Sequence, residues 1–235
     1  MLVIAHRGAS GSRPENTLVA FRRAEALGAQ MIELDVQLTR DREVVVMHDW
    51  TLRRTTRSRG RVVSRTLADL RRLDAGAWFD PAYAGEAVPT LAEVLDAVRI
   101  PVNIELKARR NDGLEARALE AVRAAGAERR VVFSSFDPRS LRRIRRLDAE
   151  VAIAVLWSRR RLAMPLRLAA GVRATALHIR KDAATPAEVQ KAVACGLEVR
   201  AWTVNDPGDF ARLGAMGVAG VFTDFPERFL QLASP

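Results

Sequence analysis

The chain has 235 residues, 49% of them apolar, with a formal net charge of +10 and a pI near 11.1. That length admits one large α/β domain or two small ones with a sizeable core, and the composition excludes a disordered or fibrous class. A strongly basic chain raises nucleic-acid binding as a possibility. Here the excess is nearly all arginine, with Lys107, Lys181 and Lys191 the only lysines. Those arginines are scattered along predicted helix faces, and the densest run, Arg139 to Arg146, reads as one exposed face, so no nucleic-acid partner is expected. A basic surface still steers anionic substrates or lipid head groups.

No run approaches the length of a membrane span, and the opening MLVIAHRG has neither a basic leader nor a small-residue cleavage site. A single cysteine, Cys195, allows no internal disulfide and fits a reducing compartment. The chain is therefore expected to be cytoplasmic, without stable membrane association. Cys195, before Gly196 at a helix end, is expected to be a buried, inert thiol. The sequence leaves oligomeric state open.

In chain order, Leu2 to Ala5 forms a short apolar strand that runs into His6-Arg7-Gly8 and a Gly/Ser loop. Glu15-Asn16-Thr17 opens an amphipathic helix through Ala26, closed by Gly28, and reads as helix capping more than chemistry. Two β-branched runs follow, Met31 to Leu38 and Val44 to Met47, joined by a connection too short for a helix, which predicts an antiparallel hairpin. Beyond His48-Asp49, about fifty residues precede the next convincing strand, more than one crossover helix needs. They hold a small strand at Arg61 to Val63, a short helix from Thr66, an irregular flap from Trp78 to Pro89, and a capping box at Thr90 that starts a helix to Val98.

A regular rhythm then sets in: strands at Val102–Lys107, Val131–Ser135, Val151–Leu156, Ala174–Ile179, Leu197–Thr203 and Gly220–Thr223. Helices at Leu114–Ala125, Pro138–Leu147, Arg161–Ala170, Pro186–Cys195 and Pro207–Met216 separate them, with a closing helix from Pro226. Strand–helix alternation implies a parallel sheet with right-handed crossovers. Setting aside the return arm of the hairpin leaves eight parallel strands, which suits a (β/α)8 TIM barrel better than an open sheet. No G-x-G-x-x-G follows the first strand, against dinucleotide binding.

Barrel chemistry collects at the C-terminal ends of strands. Those ends carry His6 and Arg7, Glu33 and Asp35, His48, Glu105 and Lys107, and Trp202. The two-residue spacings of Glu33/Asp35 and Glu105/Lys107 put each pair on one face. The three acids are either structural partners of Arg7 and Lys107 or the oxygen ligands of a hard divalent cation, Mg²⁺ or Ca²⁺ rather than Zn²⁺. His6 and His48 flank them and suit acid/base catalysis, whereas His178, inside an apolar strand, suits structure. Arg7 and Lys107 suit a phosphate clamp. Trp202 is either core or a platform for substrate.

Taken together, His6-Arg7-Gly8, Pro14-Glu15-Asn16-Thr17, Glu33-Leu34-Asp35-Val36 with Thr39 and Asp41, His48-Asp49, Pro89-Thr90-Leu91, Asn103-Ile104-Glu105-Leu106-Lys107, Ser135-Phe136 and Trp202-Thr203-Val204-Asn205 resemble the glycerophosphodiester phosphodiesterase family. The match runs in order along essentially the whole chain. The resemblance implies a single (β/α)8 barrel domain over residues 1–235, with 50–88 as a small insertion of the compact bacterial cytoplasmic kind. It further implies one divalent cation on Glu33, Asp35 and Glu105, acid/base roles for His6 and His48, and a small-molecule glycerophosphodiester substrate. On that reading the glycerol 2-hydroxyl attacks phosphorus with His48 as base and His6 as acid, and water opens the resulting cyclic phosphate. The rival readings are a lysophospholipase D or other phospholipid-directed phosphodiesterase, favoured by a long apolar groove at the barrel mouth, and a non-enzymatic basic head-group binding protein.

Overall fold

The computed structural model describes residues 1–107 and 112–232. Strand β1 (Leu2–His6) leads through a turn into α1 (Leu18–Ala26), and β2 (Met31–Leu38) is followed by the antiparallel β3 (Val44–Val46). Two one-turn helices, α2 (Arg53–Thr56) and α3 (Leu67–Leu70), precede α4 (Leu91–Ala97). Strict alternation follows: β4 (Val102–Leu106), α5 (Leu114–Ala124), β5 (Val131–Ser135), α6 (Pro138–Leu147), β6 (Ala152–Trp157) and α7 (Ala163–Val172). The chain continues with β7 (Ala176–Arg180), α8 (Pro186–Ala194), β8 (Glu198–Trp202), α9 (Pro207–Ala215) and β9 (Gly220–Thr223).

The strands pair in the order β1-β9-β8-β7-β6-β5-β4-β2, and β1 also pairs with β2, so eight parallel strands close into a ring while β3 hangs outside it on β2. This is the expected (β/α)8 barrel with its hairpin excursion. Closure explains why β2 is buried along its whole length. Ile32, Leu34, Val36 and Leu38 pack outward into the layer between strands and helices, so the alternate residues Met31, Glu33, Asp35 and Gln37 face the interior. The floor of that interior is apolar, built from Ile4, Met31, Val132, Ala154, Ala176 and Phe222. A one-residue slip of β2 would drive two carboxylates into the helix layer, so the register is strongly specified.

Side chains cap the starts of α1 and α4. Thr90 accepts from Glu93 N while the Glu93 carboxylate accepts from Thr90 N at 2.8 Å, the predicted reciprocal cap. Thr17 caps α1 in the same sense through Ala20 N.

Five local expectations differ. Arg61–Val63 is no strand: Arg61 makes one bridge to Thr51, and Val62–Ser64 curls into a 3₁₀ turn because Arg65 N reaches back to Val62 O. After Pro226 the described residues hold one 3₁₀ turn instead of a closing helix, and Phe229 leaves it to stack on Phe210 at 4.9 Å in the core. The helix expected at 161–170 lies at Ala163–Val172. Cys195 is exposed, because the α8 C-cap lies on the outer rim with Ala192 as its inward residue. The arginine run of α6 is not uniformly exposed, since Arg143 pairs with buried Glu115 at 3.0 Å and Arg145 donates to Val172 O and Val151 O.

His178 packs inside the barrel, fully buried, with its ring 4.8 Å from that of Phe222 and no hydrogen-bond partner on either nitrogen among the described residues. Burial, together with nearby Arg200, pushes its pKa well below 6.5. The unfolded chain therefore takes up this proton first, so stability is full above about pH 6.5 and falls below it, by up to about 1.4 kcal/mol per pH unit. His178→Leu should show a shallower loss of urea stability between about pH 7 and about pH 5 than the parent. An identical slope in the two proteins would contradict the buried neutral imidazole.

Candidate active site

β1 ends on His6, and at Arg7, just past it, the chain takes a left-handed step (φ 56°), with the Arg7 backbone N–H donating to Glu33 Oε2, 2.9 Å away. Gly8 follows because a Cβ at that position would lie 2.7 Å from the Ala20 carbonyl carbon. Asn16 is also left-handed (φ 58°), which lets its side chain donate to Asp35 Oδ2 at 3.0 Å. Two non-glycine residues in this sparsely populated region at one site mark backbone held in place by its surroundings.

Glu33, Asp35 and Glu105 converge: each offers a carboxylate oxygen within 4.8 Å of the others. Lys107 Nζ lies 3.0 Å from Glu105 Oε1 and 3.6 Å from Asp35 Oδ1, and Arg7 Nε lies 3.4 Å from Asp35 Oδ2. Arg7 is shared, since its Nη1 also donates to Glu15 at 2.9 Å. Three carboxylates thus face two cations, one of them divided.

Burial and the charges of Asp35 and Glu105 push Glu33 well above the usual carboxylate range. Burial and Asp35 push Glu105 up to about 7. Burial acts on Asp35 too, but Arg7, His48 and Lys107 outweigh it and keep that carboxylate ionised. Buried Asp35 Oδ1 has no hydrogen-bond partner among the described residues. An excess of desolvated negative charge, an orphaned buried oxygen and an all-oxygen donor set fit a hard divalent cation. The ion-pair alternative accounts for Lys107 and Arg7 without neutralising the third carboxylate.

The two histidines sit in unlike surroundings. His48 is carried just past β3; Met47 N bonds Asp35 O at 2.9 Å, and Gln37 Nε2 donates to Met47 O and Asp49 O at 2.8 Å each. Its Nδ1 lies 2.8 Å from Asp49 Oδ1, a carboxylate that Arg54 also grips through Nε at 2.8 Å and Nη2 at 3.1 Å. Those Arg54 hydrogen bonds, with that from His48, hold Asp49 at about 2. Burial, with Arg7 and Lys107 adding to it against Asp35, lowers the His48 imidazole below 6.5.

His6 Nδ1 lies 2.7 Å from Asp224 Oδ1, whose other partners, Ser10 Oγ and Asn205 Nδ2, are uncharged. Burial opposes ionisation of Asp224, yet the His6 contact and these donors hold it at about 2. An ionised carboxylate only accepts, so both histidines carry their hydrogen on Nδ1, leaving Nε2 as the second functional atom of each ring.

His6, His48, Glu33, Glu105, Arg7 and Lys107 all line one cavity of about 280 Å³. Its opposite wall is apolar, formed by Phe136, Leu156, Trp202 and Phe222, with the Phe136 and Trp202 rings edge to face at 5.7 Å. Trp202 therefore fronts the cavity instead of filling the core. Glu15 and Asn16, expected as capping residues, belong to the site framework: Glu15 joins Arg7 to Arg54 of the 50–88 segment, whose Nη1 lies 2.6 Å from Glu15 Oε2. Only Thr17 of that tripeptide is the cap. Asp224, Ser10 and Arg54 escape a sequence reading, because no local spacing relates them to His6 or His48. Asp49, adjacent to His48, was within reach.

Fold and cavity together define a (β/α)8 barrel whose mouth brings three carboxylates that could hold a cation beside two histidine–carboxylate pairs and the side-chain cations of Arg7 and Lys107. The family model described as the glycerophosphoryl diester phosphodiesterase family matches residues 6–228. A glycerophosphodiester phosphodiesterase of Caldanaerobacter subterraneus subsp. tengcongensis is 40% identical over 236 residues, 98% of this chain and 97% of that one. Another, from Bacillus altitudinis, is 37% identical over 238 residues, covering 98% and 97% of the two chains. An Oleispira antarctica phosphodiesterase solved in complex with the product sn-glycerol-3-phosphate superposes with a TM-score of 0.93 at 33% identity, covering 98% of this chain and 96% of that one. The chain belongs to the glycerophosphoryl diester phosphodiesterase family of enzymes.

The buried carboxylates make a prediction about stability. Glu33 has a raised pKa when folded, so the folded state is penalised as pH climbs past the ordinary value of 4.5. In excess chelator, Glu33→Gln should melt higher than the parent at about pH 8, with the difference shrinking toward about pH 4.5. Added Mg²⁺ or Ca²⁺ should raise the parent's Tm and raise that of the variant less. Equal melting of the two proteins across pH would contradict an uncompensated charge at Glu33.

Proposed function

We propose that this chain hydrolyses glycerophosphodiesters to sn-glycerol 3-phosphate and an alcohol, using His48 as general base and His6 as general acid in the first step. The observation that carries this reading is the unequal pairing of the two histidines on one cavity. Arg54 balances Asp49, so His48 gains little reason to be cationic, and Arg7 and Lys107 disfavour the charge further. Asp224 has only uncharged side-chain partners besides His6 among the described residues, so its negative charge is shared with no arginine and is directed at the His6 ring alone. A neutral imidazole at His48 is what proton abstraction in the first step needs, and the differently paired His6 is left to donate.

Glu33, Asp35 and Glu105 would hold the divalent cation, Mg²⁺ or Ca²⁺, which when bound withdraws charge from a phosphoryl oxygen and acidifies a neighbouring hydroxyl. Arg7 and Lys107 meet the remaining phosphoryl oxygens, where charge-assisted hydrogen bonds are strongest. His48 Nε2 takes the proton of the glycerol 2-hydroxyl as that oxygen attacks phosphorus, and His6 Nε2 gives its proton to the departing alkoxide. The roles then reverse: His6 takes a proton from water, His48 returns one to the 2-oxygen, and the cyclic ester opens. Asp49 and Asp224 fix the tautomer and orientation of the two rings throughout. Trp202 and Phe136 bound the side of the cavity facing away from the acids and exclude water from it. The whole chain acts as one catalytic domain, with residues 50–88 an insertion that braces the His48 side through Arg54.

Glycerol 3-phosphate release from glycerophosphocholine, with and without chelator, tests the reading; turnover that resists chelation would overturn it. His6→Ala and His48→Ala should each lose roughly 10²- to 10⁴-fold in kcat while retaining their melting temperature. A p-nitrophenyl ester of glycerol 3-phosphate needs no acid to expel its leaving group. It should restore nitrophenol release, the first step, to His6→Ala and not to His48→Ala, with the cyclic phosphate accumulating in His6→Ala, and the reverse pattern would exchange the two roles.

A further inference from the structure

One side chain ties the end of β9 to the loop after β8. Asn205 stands three residues past Trp202, the last residue of β8, and its Oδ1 accepts from Asp224 N and from Thr223 Oγ1, each at 3.0 Å. Thr223 Oγ1 in turn accepts from Phe225 N at 3.1 Å, so its own hydrogen goes to Asn205. A backbone N–H only donates, which fixes the Asn205 amide with its oxygen on the Asp224 backbone and its nitrogen toward the Asp224 carboxylate. There Nδ2 donates to Asp224 Oδ2 at 2.7 Å. Asn205 thus grips Asp224 at two points, backbone and carboxylate, and the Asp224 side chain is held in a single rotamer. The other carboxylate oxygen, Oδ1, receives His6 Nδ1 at 2.7 Å.

Among the described residues no other donor meets Asp224 Oδ2. Ser10 Oγ lies 3.1 Å from Oδ1, but it is nearer His6 O, at 2.7 Å, and its single hydrogen cannot serve both fully. His6 lines the catalytic cavity, whereas neither Asp224 nor Asn205 does, so the amide touches no substrate. The two histidine carboxylates are also held by different means. Asp49 is gripped by a cation, Arg54, while Asp224 is gripped by an amide that fixes it without neutralising its charge. On the strength of the phosphodiesterase reading above, we infer that Asn205 is a positioning residue for His6. It locks the Asp224 carboxylate so that Oδ1 keeps the ring hydrogen on Nδ1 and leaves Nε2 to serve the departing alkoxide.

Asn205→Ser keeps a short hydroxyl beside β9 and removes the amide nitrogen that reaches Asp224 Oδ2. The variant should lose roughly 10- to 10²-fold in kcat on glycerophosphocholine, with KM little changed. On the p-nitrophenyl ester, whose leaving group needs no acid, nitrophenol release should fall at most a few-fold, so the variant follows His6→Ala in milder form. Nitrogen NMR of isotopically labelled histidine gives a readout independent of turnover. Once the ring is neutral, the His6 hydrogen should sit on Nδ1 in the parent and be shared between Nδ1 and Nε2 in the variant. If the Ser variant fails to hold the parent's melting temperature, Asn205→Thr, equally short and bulkier, takes its place. A loss as large on the nitrophenyl ester as on glycerophosphocholine marks a merely structural residue and overturns the inference. So does full activity on glycerophosphocholine, or a His6 tautomer that does not move. Failure of the parent to hydrolyse glycerophosphocholine would instead defeat the phosphodiesterase reading. Asn205 is then judged on the histidine spectra alone, where an unchanged His6 tautomer overturns its role.

Discussion

The site is governed by charge held out of water. Glu33 and Asp35 project from β2 into a barrel interior otherwise floored by apolar side chains, and Glu105 joins them from β4. Desolvating a carboxylate is costly unless it is paired, and Arg7 and Lys107 cannot pair with all three. The surrounding structure reads as a response to that surplus. Arg7 is bent into the left-handed region to present its N–H, Asn16 likewise to present its amide, and Glu15 is braced by Arg54. What these donors leave unmet is one orphaned oxygen of Asp35 and two carboxyls pushed upward in pKa. An unmet demand of that kind suits an ion that arrives with the substrate's own negative charge.

The barrel supplies the precision. Because every strand of the ring is hydrogen-bonded on both sides, the two-residue step from Glu33 to Asp35 and the register Asp35 to Glu105 are fixed by the ladder. His6 stands on the last residue of β1 and His48 on the less regular excursion after β3, and each is held by a carboxylate. The wall of Phe136, Leu156, Trp202 and Phe222 gives the cavity one apolar side, opposite the charged one.

Much of this was legible in the sequence because it is carried by short periods. The αβ repeat, the hairpin too short for a helix, the capping box at Thr90 and the alternation Glu33/Asp35 all follow from spacings of two to four residues. What stayed hidden depends on closure. Asp224 is 218 residues from His6 and Asn205 is 19 from Asp224, and only the ring brings them together. Glu15 and Asn16 resemble a helix start because Thr17 beside them is one, and the sequence has no way to show that Asn16 points at Asp35 instead. The same limit produced the local errors: Arg61–Val63 has the apolar character of a strand but no partner to extend it, and Cys195 has the character of a core residue on a rim that faces water.

The central claim is that three acidic side chains share one cation. Electron paramagnetic resonance of chelator-stripped protein titrated with Mn²⁺, a reporter for Mg²⁺ or Ca²⁺ in an oxygen site, measures this without reference to turnover. The account predicts a single tightly bound ion per chain, lost in Asp35→Ala. Absence of a stoichiometric bound ion, or binding that survives removal of Asp35, would contradict it.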